Sequence, residues 1–320
     1  MKTLRKFTLS WPAMLFTRSV SVVSAWVIHV LPVHGFMLGA VLTAGVVQAG
    51  SVSSYYPDID VAGWSAESSI FECRLSQQIP GFGMAVFYHQ AGEPLSFYMQ
   101  TPDSPMQEGR ALLTSQPPLW RQELEVKDLA YVDVTRTRRP VLLNASHSRL
   151  VLAELERGMV PTLMRRAWFS EQESIHVGLS PVKFGEAYRE YHRCTGDLLP
   201  VNFGQIERST VFWQVNQREL DDDNKAFLDD IIRYIKADPQ VRAVDINGFT
   251  DGAGIPRDNL ELSRVRAFAV QSYLVAAGLD ENMFTTRYFG GTADFRVVRD
   301  ERSAEDRDRN RRVTLRLHRG

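Results

Sequence analysis

Two short stretches of the sequence carry side chains suited to gripping a small charged ligand. The first, Gly248-Phe249-Thr250-Asp251-Gly252-Ala253-Gly254, reads as a polar, glycine-bearing turn leaving a strand. The second runs from Asn259 to Ala267, and on a helix its Asn259, Ser263 and Arg266 fall at i, i+4 and i+7, sharing one face across two turns. That face starts near a helix N-terminus, where unpaired backbone N–H groups favour anions. Arg266 can pair bidentately with a carboxylate, and Asp251 can accept from an ammonium. An aspartate and an arginine converging on one pocket suit a zwitterionic amino-acid centre. Taken singly, each has a plainer role, because aspartate is a common turn residue and a helical arginine is commonly solvated or paired with a nearby acid.

The elements needed to bring these groups together are legible around them. A first strand is expected over 209–215. A helix follows over Leu220–Ala237, opened by Asp221, Asp222 and Asp223 where acids suit the positive helix end. Strands are expected over 243–250, 284–290 and 312–318, and a long amphipathic helix over Asn259–Ala277, stopped by Gly278. The result is a β/α/β/α/β-β two-layer sandwich with both helices on one face. The Arg307–Arg312 stretch, with Asp306 and Asp308 interleaved, reads as a solvated loop. Upstream, residues 50–200 read as β-rich. Strands are expected over 83–89, 95–100 and 129–135, with a hairpin loop at Gln90–Pro94. Two helices are expected there: His147–Arg157, stopped by Gly158, and one opening with Ser180 as cap and Pro181 in the first turn. The expected fold class is therefore α+β, with a segment at 1–49 and domains at 50–200 and 201–320.

Composition excludes several classes. The 320 residues are 44% hydrophobic and 23% charged, too polar for a multi-span membrane protein. With 37 basic and 38 acidic residues the chain has no basic excess, so no nucleic-acid partner is expected. Residues 1–49 hold Lys2, Arg5, Lys6 and Arg18 but no acid, then apolar runs over 20–31 and 35–47, and end in Val47-Gln48-Ala49. This pattern fits an export signal cleaved before Gly50. An uncleaved anchor over 20–47 is the alternative, although His29, Pro32 and His34 interrupt it. No cysteine lies in this segment for lipid attachment. In an oxidising compartment Cys73 and Cys194, the only two cysteines, favour a bridge; two unpaired buried thiols are the other possibility. No catalytic group, metal site or cofactor is expected. The seven histidines lack ligand spacing, and no nucleophile elbow, phosphate-binding loop or dinucleotide fingerprint occurs.

The run Thr250-Asp251-x-x-Gly254, Asn259, Leu262-Ser263-x-x-Arg266-Ala267 and then Asn310-Arg311-Arg312-Val313 resembles the OmpA-like peptidoglycan-binding family over residues 201–320. The resemblance implies that Asp251 and Arg266 grip the diaminopimelate of a stem peptide, with Thr250, Asn259, Leu262 and Arg311 completing or flanking the pocket. Many members carry an acid just after the first strand's aromatic pair. Here Phe212-Trp213 is followed by Gln214, which removes one polar contact. The front half, through Phe71-Glu72-Cys73-Arg74-Leu75, Ile79-Pro80-Gly81-Phe82-Gly83, Pro117-Pro118-Leu119-Trp120-Arg121, Leu155-Glu156-Arg157-Gly158 and Ser180-Pro181-Val182-Lys183-Phe184, resembles the N-terminal domain of the MotY family. That resemblance places both cysteines where the family has its pair. It implies a periplasmic T-ring component of a sodium-driven flagellar motor, associated with the basal body and a MotX-type partner and helping to hold the stator. The alternatives are a general envelope anchor unrelated to flagella and, from another class, a cell-wall hydrolase.

Overall fold

The computed structural model describes residues 50–320; the expected export segment at 1–49 lies outside the described residues. In the front half, ten strands among the described residues form one sheet. They are β1 (Ser51–Tyr55), β2 (Ser65–Ser68), β3 (Glu72–Ile79), β4 (Gly83–Gln90) and β5 (Ser96–Gln100). After these come β6 (Gly109–Gln116), β7 (Lys127–Val134), β8 (Val141–Leu143), β9 (Val160–Arg166) and β10 (Glu173–Gly178). Their spatial order is β1-β10-β9-β6-β7-β8-β5-β4-β3-β2. Alternation decides which face is buried: along β3, Cys73, Leu75, Gln77 and Ile79 point inward. Two helices, α1 (Ala145–Glu156) and α2 (Phe184–Asp197), share that core, with Val151, Leu155, Phe184 and Tyr191 packed among Phe87, Phe97 and Leu163. Cys73 on β3 and Cys194 on α2 are joined by a disulfide, their Cα atoms 5.9 Å apart.

One helix start differs from expectation. Ser180 does not cap α2, which begins at Phe184 after Lys183 adopts a left-handed φ of 57°. The reason is a competing attachment to the sheet. Ser180 N donates to Gln77 Oε1 at 2.8 Å, while Ser180 O accepts from Gln77 Nε2 at 3.0 Å and from Trp64 Nε1 at 2.8 Å. A backbone tied into β3 on both its donor and acceptor sides cannot also enter a helix.

The rear half builds a second, four-stranded sheet from β11 (Arg208–Phe212), β12 (Val241–Gly248), β13 (Phe284–Tyr288) and β14 (Arg312–Arg319), in the order β11-β14-β12-β13. Between β11 and β12 comes α4 (Asp222–Ala237), and between β12 and β13 comes α5 (Pro256–Ala276). Asp221 caps α4 by accepting from Asn224 N at 2.8 Å, and Gly278 (φ 94°) follows the end of α5. Leu228, Ile231 and Ile235 of α4 and Ala267, Val270 and Leu274 of α5 pack on Val211, Val244, Ile246, Val313 and Leu315. Helix α5 passes so close to the end of β12 that a Cβ at Gly248 would collide with Ser263 O. The expected solvated loop at 307–312 is instead a short helix, α6 (Ala304–Asn310), leading into β14. Asn310, Arg311 and Arg312 are buried, because the segment before α6 folds back and needs partners: Asn310 Oδ1 accepts from Val297 N and Val298 N. Arg312 lies over the Phe249 ring at 4.0 Å.

The two sheets keep separate hydrophobic cores, but the described residues cluster as one compact unit. A short helix, α3 (Phe203–Ile206), sits at the junction and is closed by a reciprocal capping box between Asn202 and Gln205. Asn202 Nδ2 donates to Ala91 O at 3.1 Å and Gln205 Nε2 to Gly92 O at 2.9 Å, so the β4–β5 loop is held by the linker. Phe71 stacks edge-on to Tyr234 at 5.6 Å, and Arg319 lies over Phe203 while donating to Asp238 at 2.7 Å. Among the described residues no helix is long and apolar enough to cross a membrane.

Two outcomes follow from these contacts. Replacing both Cys73 and Cys194 by alanine frees a loop of 121 residues. In the chain-entropy model that removes roughly 4–5 kcal/mol, read as a lower denaturant midpoint; two alkylatable thiols in the native protein would contradict the bridge. Burial alone would raise the Asp238 carboxyl, but hydrogen bonds from Gln240 N, Arg319 and Tyr234 outweigh it and hold the group below its ordinary value. Its stabilisation is present above about pH 3.9 and is lost as pH falls through the lower folded value. Acid titration of stability should therefore show Asp238→Asn less stable at neutral pH and with a flatter acid limb than the intact chain.

Candidate functional site

The turn after β12 is fixed by backbone bonds before any side chain is considered. Phe249 N donates to Arg312 O and Thr250 N to Gly290 O, each at 2.9 Å, which suspends Thr250 and Asp251 between β14 and the end of β13. Helix α5 then starts at Pro256, three residues earlier than its periodicity suggests, so Asn259 lies in its first turns. Thr250, Asp251, Asn259, Leu262, Arg266 and Arg311 all line one cavity of about 500 Å3. Ser263, on the same helical face by spacing, does not reach it. Its hydroxyl donates to Leu260 O at 2.7 Å and accepts from Gly290 N at 3.0 Å, pinning α5 to the strand end.

Arg266 is wholly buried, yet among the described residues no carboxylate pairs with it. Its Nε donates to Gln217 O and its Nη2 to Gln214 O, both at 2.9 Å, while its guanidinium lies 5.4 Å from the Trp213 ring centre. Nη1 has no hydrogen-bond partner among the described residues. The loop supplying the two carbonyls is braced by Gln217, whose Oε1 accepts from Gln214 N at 2.7 Å and whose Nε2 donates to Glu219 O at 2.9 Å. Position 214 thus acts through its backbone, and the absence of an acidic side chain there leaves this clamp intact. Burial, then the neighbouring Arg311 charge, pull the Arg266 pKa down to about 10, with Asp251 opposing. The group remains a cation at neutral pH.

The charge partner of Asp251 is Arg311, whose Nη1 donates to Asp251 Oδ2 at 2.7 Å. Arg311 is itself oriented by donation from Nε to Trp213 O at 3.1 Å and by an ion pair with Asp308. Asp251 Oδ1 accepts from Ala253 N at 3.2 Å. Asn259 steadies the turn, its Nδ2 donating to Ala253 O at 2.7 Å and to Asp251 O at 3.4 Å. The cavity therefore offers, in Arg266, a buried cationic donor left unsatisfied among the described residues and, in Asp251, a carboxylate with spare acceptor capacity, as a zwitterion requires. Val215, Arg218, Ile255 and Asp258 also line it. None of these four stood out in the sequence. Val215 and Arg218 belong to the bracing loop, and only its attachment to Arg266 could have indicated them.

Residues 55–200 match the family described as MotY N-terminal domain, and residues 212–311 match the OmpA family. Sodium-type flagellar protein MotY of Vibrio parahaemolyticus is 27% identical over 250 residues, covering 78% of this chain and 84% of that protein. Outer membrane protein A of Bordetella avium is 31% identical over 117 residues, covering 35% of this chain and 56% of that protein. The peptidoglycan-associated lipoprotein of Burkholderia pseudomallei, a solved structure, aligns with 34% of this chain and 89% of its own at 27% identity and a TM-score of 0.32. The chain therefore joins a MotY N-terminal domain to an OmpA-family domain, and over most of its length it matches MotY with an OmpA-like C-terminus.

Proposed function

We propose that this protein is a non-enzymatic periplasmic anchor of a sodium-driven flagellar motor, in which residues 201–320 hold peptidoglycan and residues 50–200 join the motor. The single observation that carries the wall-binding part is the buried Arg266 guanidinium with Nη1 unpartnered, lining the same cavity as Asp251. A stem-peptide diaminopimelate presents a carboxylate and an ammonium on one carbon. The carboxylate accepts from Arg266 Nη1 in a site shielded from water, where a charge-assisted bond is strong. The ammonium donates to Asp251, whose carboxylate Arg311 and Ala253 N hold in place. No bond is made or broken. Likeness to the flagellar MotY relative supports the motor assignment, and with it a T-ring position, a MotX-type neighbour, the basal body and indirect restraint of the stator. Many copies in a ring multiply modest single-site affinities.

Sedimentation with purified murein sacculi tests the pocket. Asp251→Ala should lose roughly tenfold or more in binding, and so should Arg266→Lys, which keeps a charge but cannot serve two carbonyls and a ligand together. Lysine is preferred to alanine because truncation would leave Gln214 O and Gln217 O unsatisfied in the interior. Full retention by both variants, with unchanged melting, contradicts the pocket. Release of soluble muropeptides would mark a hydrolase. Isolated hook–basal bodies should contain the chain; their lacking it would leave a general envelope anchor.

A further inference from the structure

We propose a second subsite beside the first, which reads a free carboxylate on the residue next to the diamino acid in the same stem peptide; the inference rests on the pocket reading above. A separate cavity of about 570 Å3 adjoins the Asp251 pocket and shares Gly254 and Asn259 with it. Its charged lining consists of Arg257 and Arg296, with no acid among the lining residues. Arg296 is set in place before any ligand arrives. Its Nε and Nη2 donate to Gly291 O at 2.9 and 2.7 Å, and its guanidinium packs over Gly252, where a Cβ would collide with it. Both hydrogen bonds leave Nη1 free. Arg257 is exposed on the first turn of α5 and has no hydrogen bond or ion pair among the described residues. Glu301, the acid that reaches Gly252, already spends its oxygens on Gly252 N and Asn310 Nδ2.

Two guanidinium groups in a cavity whose own lining carries no acid favour an anion, and a fixed planar guanidinium suits a carboxylate better than a point charge does. The shared wall sets the spacing. A ligand held at Arg266 that runs past Asn259 enters the neighbouring cavity, and the next residue's free carboxylate, about ten bonds from the gripped centre, reaches at most roughly 12 Å into it. In a murein stem the residue preceding diaminopimelate is a glutamate linked through its side chain, so its α-carboxylate is free. Amidation of that group to isoglutamine deletes the charge and little else. The subsite therefore distinguishes the acid from the amide.

The test is calorimetric titration of the full chain with two soluble tripeptides, L-Ala-γ-D-Glu-diaminopimelate and its D-isoglutamine counterpart. The intact chain should bind the acid about tenfold more tightly than the amide. Arg296→Gln should erase that preference, and so should Arg257→Glu, which disturbs no internal bond and guards against misfolding of the first variant. Equal binding of both peptides by the intact chain, or a preference that survives both substitutions, overturns the subsite while leaving the anchor reading in place. Binding of neither peptide overturns the anchor reading and the subsite together.

Discussion

A single guanidinium taken wholly out of water organises the rear half of this protein. Burying an unpaired ion costs several kcal/mol even after relaxation, and Arg266 meets that cost with two main-chain carbonyls and an indole face instead of a carboxylate. Carbonyls satisfy the N–H groups without cancelling the charge. The positive potential therefore survives at the cavity. Arg311 is used in the opposite sense: it is spent on Asp251 and Asp308 and so fixes the anionic side of the site.

The surrounding fold can be understood as the means of holding that arrangement still. Gly248 lets α5 approach β12 at backbone contact, Ser263 ties the helix to Gly290, and Arg266 follows one turn later at a depth those contacts dictate. On the other wall, Trp213 presents its ring to Arg266 and its carbonyl to Arg311. One residue of the loop after β11 thus serves both charged groups. The OmpA-family match begins at residue 212, just before this tryptophan.

Much of this was legible in the sequence, for reasons specific to each element. The periodicity of α4 and α5, the stop at Gly278 and the unique cysteine pair announce themselves through side-chain type alone. The contributions of Gln214 and Gln217 do not, because a carbonyl is common to every residue and only the chain path gives it meaning. The Asp251–Arg311 pair spans 60 positions, too far for spacing to suggest; the family pattern supplied Arg311 as a flanking residue, not as the partner of Asp251. Ser180 carried a sound capping signal that lost to a sheet attachment over 103 positions to Gln77. Arg312 looked like one member of a solvated basic run, although strand alternation from Arg312 onward turns it toward Phe249.

The disulfide sits where the front half hands over to the linker. Cys194 lies in the last turn of α2, only a few residues before the segment that docks α3 against the β4–β5 loop. A pull on the rear sheet would otherwise peel α2 away from its C-terminal end, turn by turn, since each helical bond breaks singly in that geometry. The sulfur bridge diverts the tension into β3, which is laced to β4 along its whole length and must be sheared all at once. The exit of the front half is thereby fastened to a strand that is paired on both sides.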